Sequence, residues 1–239
     1  MLHSLRILAG AVAATLVAAC AAPQMGLQDR SKIHNVAVLN LVPETASFSK
    51  AGVTKLNDDR ADIDLGGRID QTVKSLAQAR LTDPKVGWTL HEVEYDRTAL
   101  RDLMRPNHYY LGVDAEKVNA ALANVARANN LDALVVVSPD PLDNSRYEGY
   151  GILLDTGFLR IHGVYVYSKM RVEVFGADGR RLSAGFGTNE PQRELDADAW
   201  GISAKVQENM RPELVAKLSD QILDYFSKKL SKEFDEAGL

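Results

Sequence analysis

Two runs in this chain have no polar face when read as β-strands. They are Val36-Ala37-Val38-Leu39-Asn40-Leu41-Val42 and Leu131-Asp132-Ala133-Leu134-Val135-Val136-Val137. Successive side chains of a strand point to opposite sides of the sheet, so each run needs cover on both sides. That requirement predicts a layered fold in which helices pack over a sheet. The helices can be read from spacing. Leu65, Ile69, Val73, Leu76, Ala77 and Leu81 form one apolar stripe, with Asp64 placed as its N-cap. Asp96 is placed to cap a short helix that ends before Pro106. Asp114 caps a clearer one that turns Val118, Leu122, Val125 and Ala126 inward. Asn129-Asn130 is a left-handed stop, since Asn tolerates that conformation. Trp88–Tyr95 reads as a second strand, and residues 43–64 read as a long polar loop.

Late in the chain the period changes to two. From Val164 to Phe175 the even positions are Val164, Val166, Ser168, Met170, Val172 and Val174, a core-facing set. The odd positions are Tyr165, Tyr167, Lys169, Arg171, Glu173 and Phe175. A return strand over Arg181–Gly187 presents Leu182, Ala184 and Phe186. A three-residue loop Ala177-Asp178-Gly179, with Gly179 left-handed, pairs Val174 with Leu182, Val172 with Ala184 and Met170 with Phe186. Beyond Pro191 the pattern is helical. Trp200, Val206 and Met210 suggest one amphipathic piece. Pro212 suits a first helical turn, and Leu214, Leu218, Ile222, Phe226 and Leu230 make a stripe that must dock. Lys228, Lys229 and Lys232 sit near its carboxyl end, complementing the helix dipole.

The expected class is α/β: a mixed β-sheet flanked by helices in the order β-α-β-α-β-β-β-α, with a late antiparallel hairpin and a C-terminal amphipathic helix. Three segments, NVAVLNLV (35–42), ANNLDALVVVSPD (128–140) and RVEVFGADGRRLSAG (171–185), resemble one periplasmic group. It comprises the amino-terminal domain of TolB and the CsgG-like and penicillin-binding-protein-activator lipoproteins. The resemblance spans residues 33–190 and implies an assembly, secretion or regulatory lipoprotein, not an enzyme.

The address is written in the first twenty residues. Met1–Arg6 carries one firm positive charge, and Ile7–Ala19 is a 13-residue apolar run. About 20 apolar residues are needed to span a bilayer, so this run matches a secretory signal instead. It ends in Val17-Ala18-Ala19-Cys20, which resembles the bacterial lipobox, and Cys20 is the only cysteine among 239 residues. A diacylglycerol thioether there excludes disulfide and redox roles, and two or more acyl chains anchor firmly. Ala21 in place of aspartate favours the outer membrane, periplasmic face. The expected organisation is a signal peptide over 1–19, a lipid-anchored tether over 20–32, a mixed α/β domain over 33–190 and a helical segment over 191–239 that packs on it. Removing residues 1–19 leaves 27 basic and 32 acidic residues, a balance of −5. That charge, and the absence of a basic run, argue against nucleic acid or a polybasic membrane patch.

No catalytic, cofactor or metal motif is present. His34, His91, His108 and His162 are far apart in sequence, and no HExxH spacing occurs. Ser138 stands between Val137 and Pro139, not in a nucleophile elbow, so Ser138-Pro139-Asp140-Pro141 reads as a stiff exit turn. Asp58, Asp59, Asp62 and Asp64 read as a solvated acidic loop. The segment 146–167 gathers tyrosines with glycines. Tyr147, Tyr150, Tyr165 and Tyr167 are the candidate contacts for a partner protein, because tyrosine offers rigid area with a polar end. The expected partners are the membrane, through the lipid, and an envelope protein or a second copy. The function expected is a protein-binding or assembly module. The alternatives are a CsgG-like secretion-channel component and an envelope hydrolase without a recognisable motif.

Overall fold

The computed structural model describes residues 25, 30–51, 59–105, 114–140, 149–156, 161–185 and 193–239. Cys20 and Tyr147 lie outside them. The mixed α/β class holds, built on two five-stranded sheets. The first has the order β4-β1-β5-β8-β9, from Thr89–His91, Asn35–Asn40, Ala133–Pro139, Met170–Gly176 and Arg181–Ala184. The second has the order β10-β7-β6-β2-β3, from Arg193–Leu195, Ile161–Ser168, Tyr150–Thr156, Thr45–Ala51 and Asp59–Asp64.

The two runs without a polar face are β1 and β5, paired in parallel in the middle of the first sheet, from Val36 opposite Ala133 to Asn40 opposite Val137. Both faces are covered. On the outer face, Ala37, Leu39, Leu134 and Val136 meet Leu100 and Met104 of helix α2 (Arg97–Met104) and Val118, Leu122 and Ala126 of helix α3 (Ala115–Ala128). On the inner face, Val36, Val135 and Val137 join the main core with helix α1 (Arg68–Leu81), helix α5 (Pro212–Glu236) and the inner side chains of the second sheet. Asp96 and Asp114 cap α2 and α3 through Ala99 and Lys117 N–H, and Asn130 is left-handed at φ 52°. These match the expected punctuation.

Four expectations are corrected. The stretch 43–64, expected as a loop, holds two strands among its described residues. Thr45–Ala51 and Asp59–Asp64 form an antiparallel pair, because Ala46, Phe48 and Ile63 suffice to seat it on the core. The N-cap of α1 is Gly67, left-handed at φ 79°, while the Asp64 carboxylate instead accepts from Gly66 N–H. The strand expected over Trp88–Tyr95 is three residues long, Thr89–His91, at a sheet edge. The hairpin register also differs: Val174 lies opposite Ser183, not Leu182, with a bulge before Phe175 opposite Arg181. Ser183 tolerates the inner face because its hydroxyl donates to Ala237 O (2.6 Å) at the end of α5, which satisfies it. The bulge absorbs Leu182 and lets Gly179 take its left-handed turn at φ 79°. Phe186 lies outside the described residues.

The even-position alternation runs unbroken across a corner that the sequence does not reveal. β7 belongs to one sheet and β8 to the other, joined only by Lys169. Lys169 N–H donates to Gly149 O (2.6 Å) and its carbonyl accepts from Asp140 N–H (2.9 Å), which holds the bend. Val164 and Val166 therefore share the core with Met170, Val172 and Val174. After β10 come the single helical turn α4 (Ala197–Trp200) and a 3₁₀ turn over Val206–Asn209, two pieces where one was expected.

Candidate functional site at the carboxyl end of the first sheet

β1 leads toward β4 through α1, which packs on the inner face. β4 leads toward β5 through α2 and α3, which pack on the outer face. The connections thus leave the carboxyl ends of two neighbouring strands on opposite sides, the arrangement that opens a crevice in parallel sheets. A polar network occupies this place. Asn40 ends β1; its side-chain amide donates to Asp70 in the first turn of α1 and its Oδ1 accepts from Val42 N–H (3.0 Å). Tyr95, which follows β4, accepts from Asn40 N–H (2.8 Å) and donates to Asn40 O (3.1 Å). Arg97, at the start of α2, reaches Asp70 Oδ2 (3.2 Å), Glu44 Oε1 (3.6 Å) and the carbonyl of Val42. Asp70 N–H donates to Glu44 Oε1 (3.1 Å), so one guanidinium and one helix terminus gather two carboxylates.

Burial raises the Glu44 carboxyl above its ordinary value and the neighbouring Asp70 raises it further, while Arg97 opposes the shift. Burial also raises the Tyr95 hydroxyl. Beneath the network, Tyr150 donates to Pro43 O (2.6 Å), and its own pKa is raised by burial and by Glu44. The chemistry available is a protonatable carboxyl beside a fixed cation. The hydroxyls of Tyr95 and Tyr150 donate to backbone carbonyls, and Arg97 is divided among three acceptors. Such a network holds three elements together and presents a polar, nearly charge-balanced surface.

A second polar group lies on the outer face of the same sheet. Arg171 is bonded to Asp140 (3.0 Å) and stands 3.7 Å from Glu173, which Arg181 also reaches (3.0 Å). The odd-position set was expected to face away from the core, and it does so here, yet Arg171 and Glu173 are buried. Ser138 lies within β5 opposite Arg171, buried, so it belongs to the strand and not to an exit turn; Pro141 is outside the described residues.

The candidate tyrosines separate. Tyr150 is 2 % exposed and faces the main core, its ring 5.3 Å from that of Phe226, so it is corrected from contact residue to core residue. Tyr165 and Tyr167 do face away from that core, on the other side of the second sheet, where they meet Ala51 and Leu153. Tyr167 is 1 % exposed, however, and the Tyr165 ring lies over Gly163, where a Cβ would stand 2.3 Å from its hydroxyl. Alternation gives the side of a sheet, whereas exposure depends on what covers that side. His34, His91 and His162 are exposed, with His91 Nε2 2.9 Å from Asn35 Oδ1. Among the described residues no group of metal-ligating side chains forms. Glu44, Asp70 and Arg97 carried no sequence signal, because they meet over separations of 26 to 53 residues. A polar Asn40 closing an apolar strand was the one available clue.

No protein-family model and no curated protein matches the chain. Two solved structures align with most of it. Lipoprotein GNA1162 from Neisseria meningitidis is 10% identical, with a TM-score of 0.30 over 82% of this chain and 99% of its own. The hypothetical protein CT253 from Chlamydia trachomatis is also 10% identical, with a TM-score of 0.30 over 84% of this chain and 97% of its own.

Proposed function

We propose that this chain is a lipid-anchored protein of the bacterial envelope, held through Cys20 at the periplasmic face of the outer membrane. Its α/β domain then serves as a protein-binding or assembly module, without cofactor and without enzymatic chemistry of its own. The observation that carries the reading is the apolar run Ile7–Ala19 closing on Val17-Ala18-Ala19-Cys20, with no second cysteine in the chain. No helix among the described residues is long and apolar enough to cross a membrane, so the acyl group is the attachment this reading requires. The carboxyl-end network supports a binding role, since Arg97, Asp70 and Glu44 are engaged with one another. Partly exposed Glu44, Asp70 and Arg97 give a partner a polar surface fixed by three elements.

The test is metabolic labelling with an alkyne fatty acid, followed by crosslinking in intact envelopes, each compared with Cys20→Ser. The expected outcome is label and membrane sedimentation that disappear with the thiol, and one envelope protein captured only by the anchored form. Rings of this chain alone would transfer the assignment to a secretion component. Hydrolysis of envelope material by the purified domain would overturn the non-enzymatic reading.

A further inference from the structure

Each five-stranded sheet has two edges, and an edge strand presents backbone N–H and C=O groups that no neighbour uses. Three of these edges are short: β4 and β10 are three residues long and β9 is four. The fourth is β3, six residues long, which among the described residues pairs on one side, with β2. Asp59, Arg60, Asp62 and Asp64 of β3 are exposed, while Ala61 is half-buried and Ile63 is buried. Arg60 and Asp62 pair with each other at 3.2 Å, yet their side chains stay 64% and 58% exposed. The neighbouring 3₁₀ turn lies on the inner side, with Val206 in the main core beside Ile63.

Which backbone groups of β3 point outward follows from one bond. Leu65 N–H donates to Glu44 O (3.2 Å), so these two form a hydrogen-bonded pair, and such pairs alternate along an antiparallel ladder. Ile63, Ala61 and Asp59, opposite Ala46, Phe48 and Lys50, therefore bond within the hairpin. Arg60, Asp62 and Asp64, opposite Ser49, Ser47 and Thr45, turn their backbone groups outward. Arg60 N–H also donates to Asp59 Oδ1 (2.9 Å), a bond between exposed groups that an incoming carbonyl can replace. The side chains of Arg60, Asp62 and Asp64 share the face away from the core, in the order of one positive and two negative charges. An added antiparallel strand places its own hydrogen-bonded residues directly opposite them, on that same face.

We propose that β3 is a self-recognition edge, on which β3 of a second copy pairs antiparallel about a twofold axis at Ala61 and joins the two second sheets into one. The order of charges selects this register. With Ala61 opposite its own copy, Arg60 faces Asp62 of the other chain, and the twofold repeats that attraction. Shifts that set Arg60 against Arg60, or Asp62 against Asp64, bring like charges together. Centring on Asp62 flanks a clash of Asp62 with its copy by two Arg60–Asp64 attractions. A charged edge ordinarily resists pairing; here the signs reject the neighbouring registers and leave one. The contact is isologous, so it closes at two copies and does not propagate into a fibre. Exposed ion pairs make it sensitive to added salt. The proposal goes beyond the envelope-module reading and does not depend on acylation at Cys20, because β3 belongs to the folded domain.

The test uses the full-length chain with Cys20→Ser, in which Ala61→Cys introduces the sole thiol. Opposite residues of a non-hydrogen-bonded pair stand about 4.5 Å apart at Cα, within reach of a disulfide. Asp59→Cys is the control, since in this register it lies roughly 13 Å along the strand from its copy. Mild oxidation is expected to link chains through position 61 several-fold faster than through position 59. In sedimentation, Arg60→Asp and Asp62→Arg are each expected to weaken the dimer about tenfold, because symmetry sets like charges together twice. The double variant Arg60→Asp/Asp62→Arg is expected to restore it, with circular dichroism showing that each variant is folded. A monomer at every concentration, or equal linkage from positions 59 and 61, overturns the proposal. So does a dimer that both single reversals leave intact, which moves the contact to another surface. Linkage from position 61 to a different protein in an envelope extract also overturns it, giving the edge a heterologous partner. Cys20 is absent throughout, so failure of the anchor cannot produce any of these results.

Discussion

Arg97 is the residue on which the carboxyl-end network turns. Its guanidinium pairs with Asp70 and Glu44 and donates to the carbonyl of Val42. Arg97→Ala leaves two neighbouring carboxylates without a cation and is expected to lower stability by about 1–3 kcal/mol, read from urea midpoints. Glu44 gives a pH signature. Its folded-state pKa is raised above the ordinary carboxylate value of 4.5, so the folded protein binds the proton more tightly than the unfolded chain. Stability is then highest below that ordinary value and falls as pH rises through the window up to the folded value. Glu44→Gln is expected to flatten this slope in stability-versus-pH curves; an unchanged slope would assign the titration elsewhere. Tyr150→Phe removes one hydrogen bond, to Pro43 O, and should cost about 1 kcal/mol. These residues show how little of the site was legible. Asp96 could be read as a cap from its place before a stripe, since the N–H that donates to its carboxylate, that of Ala99, is three residues away. Arg97, next to it, could not be assigned, since its carboxylate partners lie 27 and 53 residues earlier in the chain.

At the scale of elements, backbone contacts decide more than side-chain pattern. Gly151 in β6 has φ +150°, and a Cβ there would stand 1.9 Å from Ser47 O of the parallel neighbour β2. Gly179 at φ +79° would place one 2.0 Å from Asn119 O of α3. Neither obstacle is a flexible side chain. Gly151→Ala is expected to part β6 from β2, seen as faster amide exchange across the second sheet and a loss of about 3 kcal/mol or more. The hairpin carries the same lesson. Pairing apolar with apolar favoured Val174 opposite Leu182, but the end of α5 supplies an acceptor for the Ser183 hydroxyl and the other register forms. Ser183→Ala should loosen the last turn of α5 by about 1–2 kcal/mol, measured by exchange at residues 233–239. Helices α1, α2, α3 and α5 were readable within a few residues because a period near 3.6 requires only local sequence. β2 and β3 were hidden because the three apolar side chains that face the main core, Ala46, Phe48 and Ile63, form no pattern of their own in a polar stretch.

For the molecule as a whole, two sheets share one core through a strand that changes sheet at Lys169, and α5 stacks Leu218, Ile222, Phe226 and Leu230 against both. Phe226→Ala removes a fully buried ring that also contacts Tyr150, and is expected to cost about 3–5 kcal/mol. The same variant should expose both sheets together, as one cooperative transition, because they share that core. A two-step melt would instead divide the molecule into separately folding layers.

Sequence alone determined whatever depends on neighbours along the chain: the apolar run before Cys20, the helix stripes and their caps, and the need for cover on both faces of β1 and β5. Only the tertiary structure decided what depends on neighbours in space. It brought Glu44, Asp70 and Arg97 together, buried Tyr150 and Tyr167, and set the hairpin register. The physical reason is that periodicity and capping act over three to seven residues, whereas burial and ion pairing are set by packing between elements that the order of residues does not display.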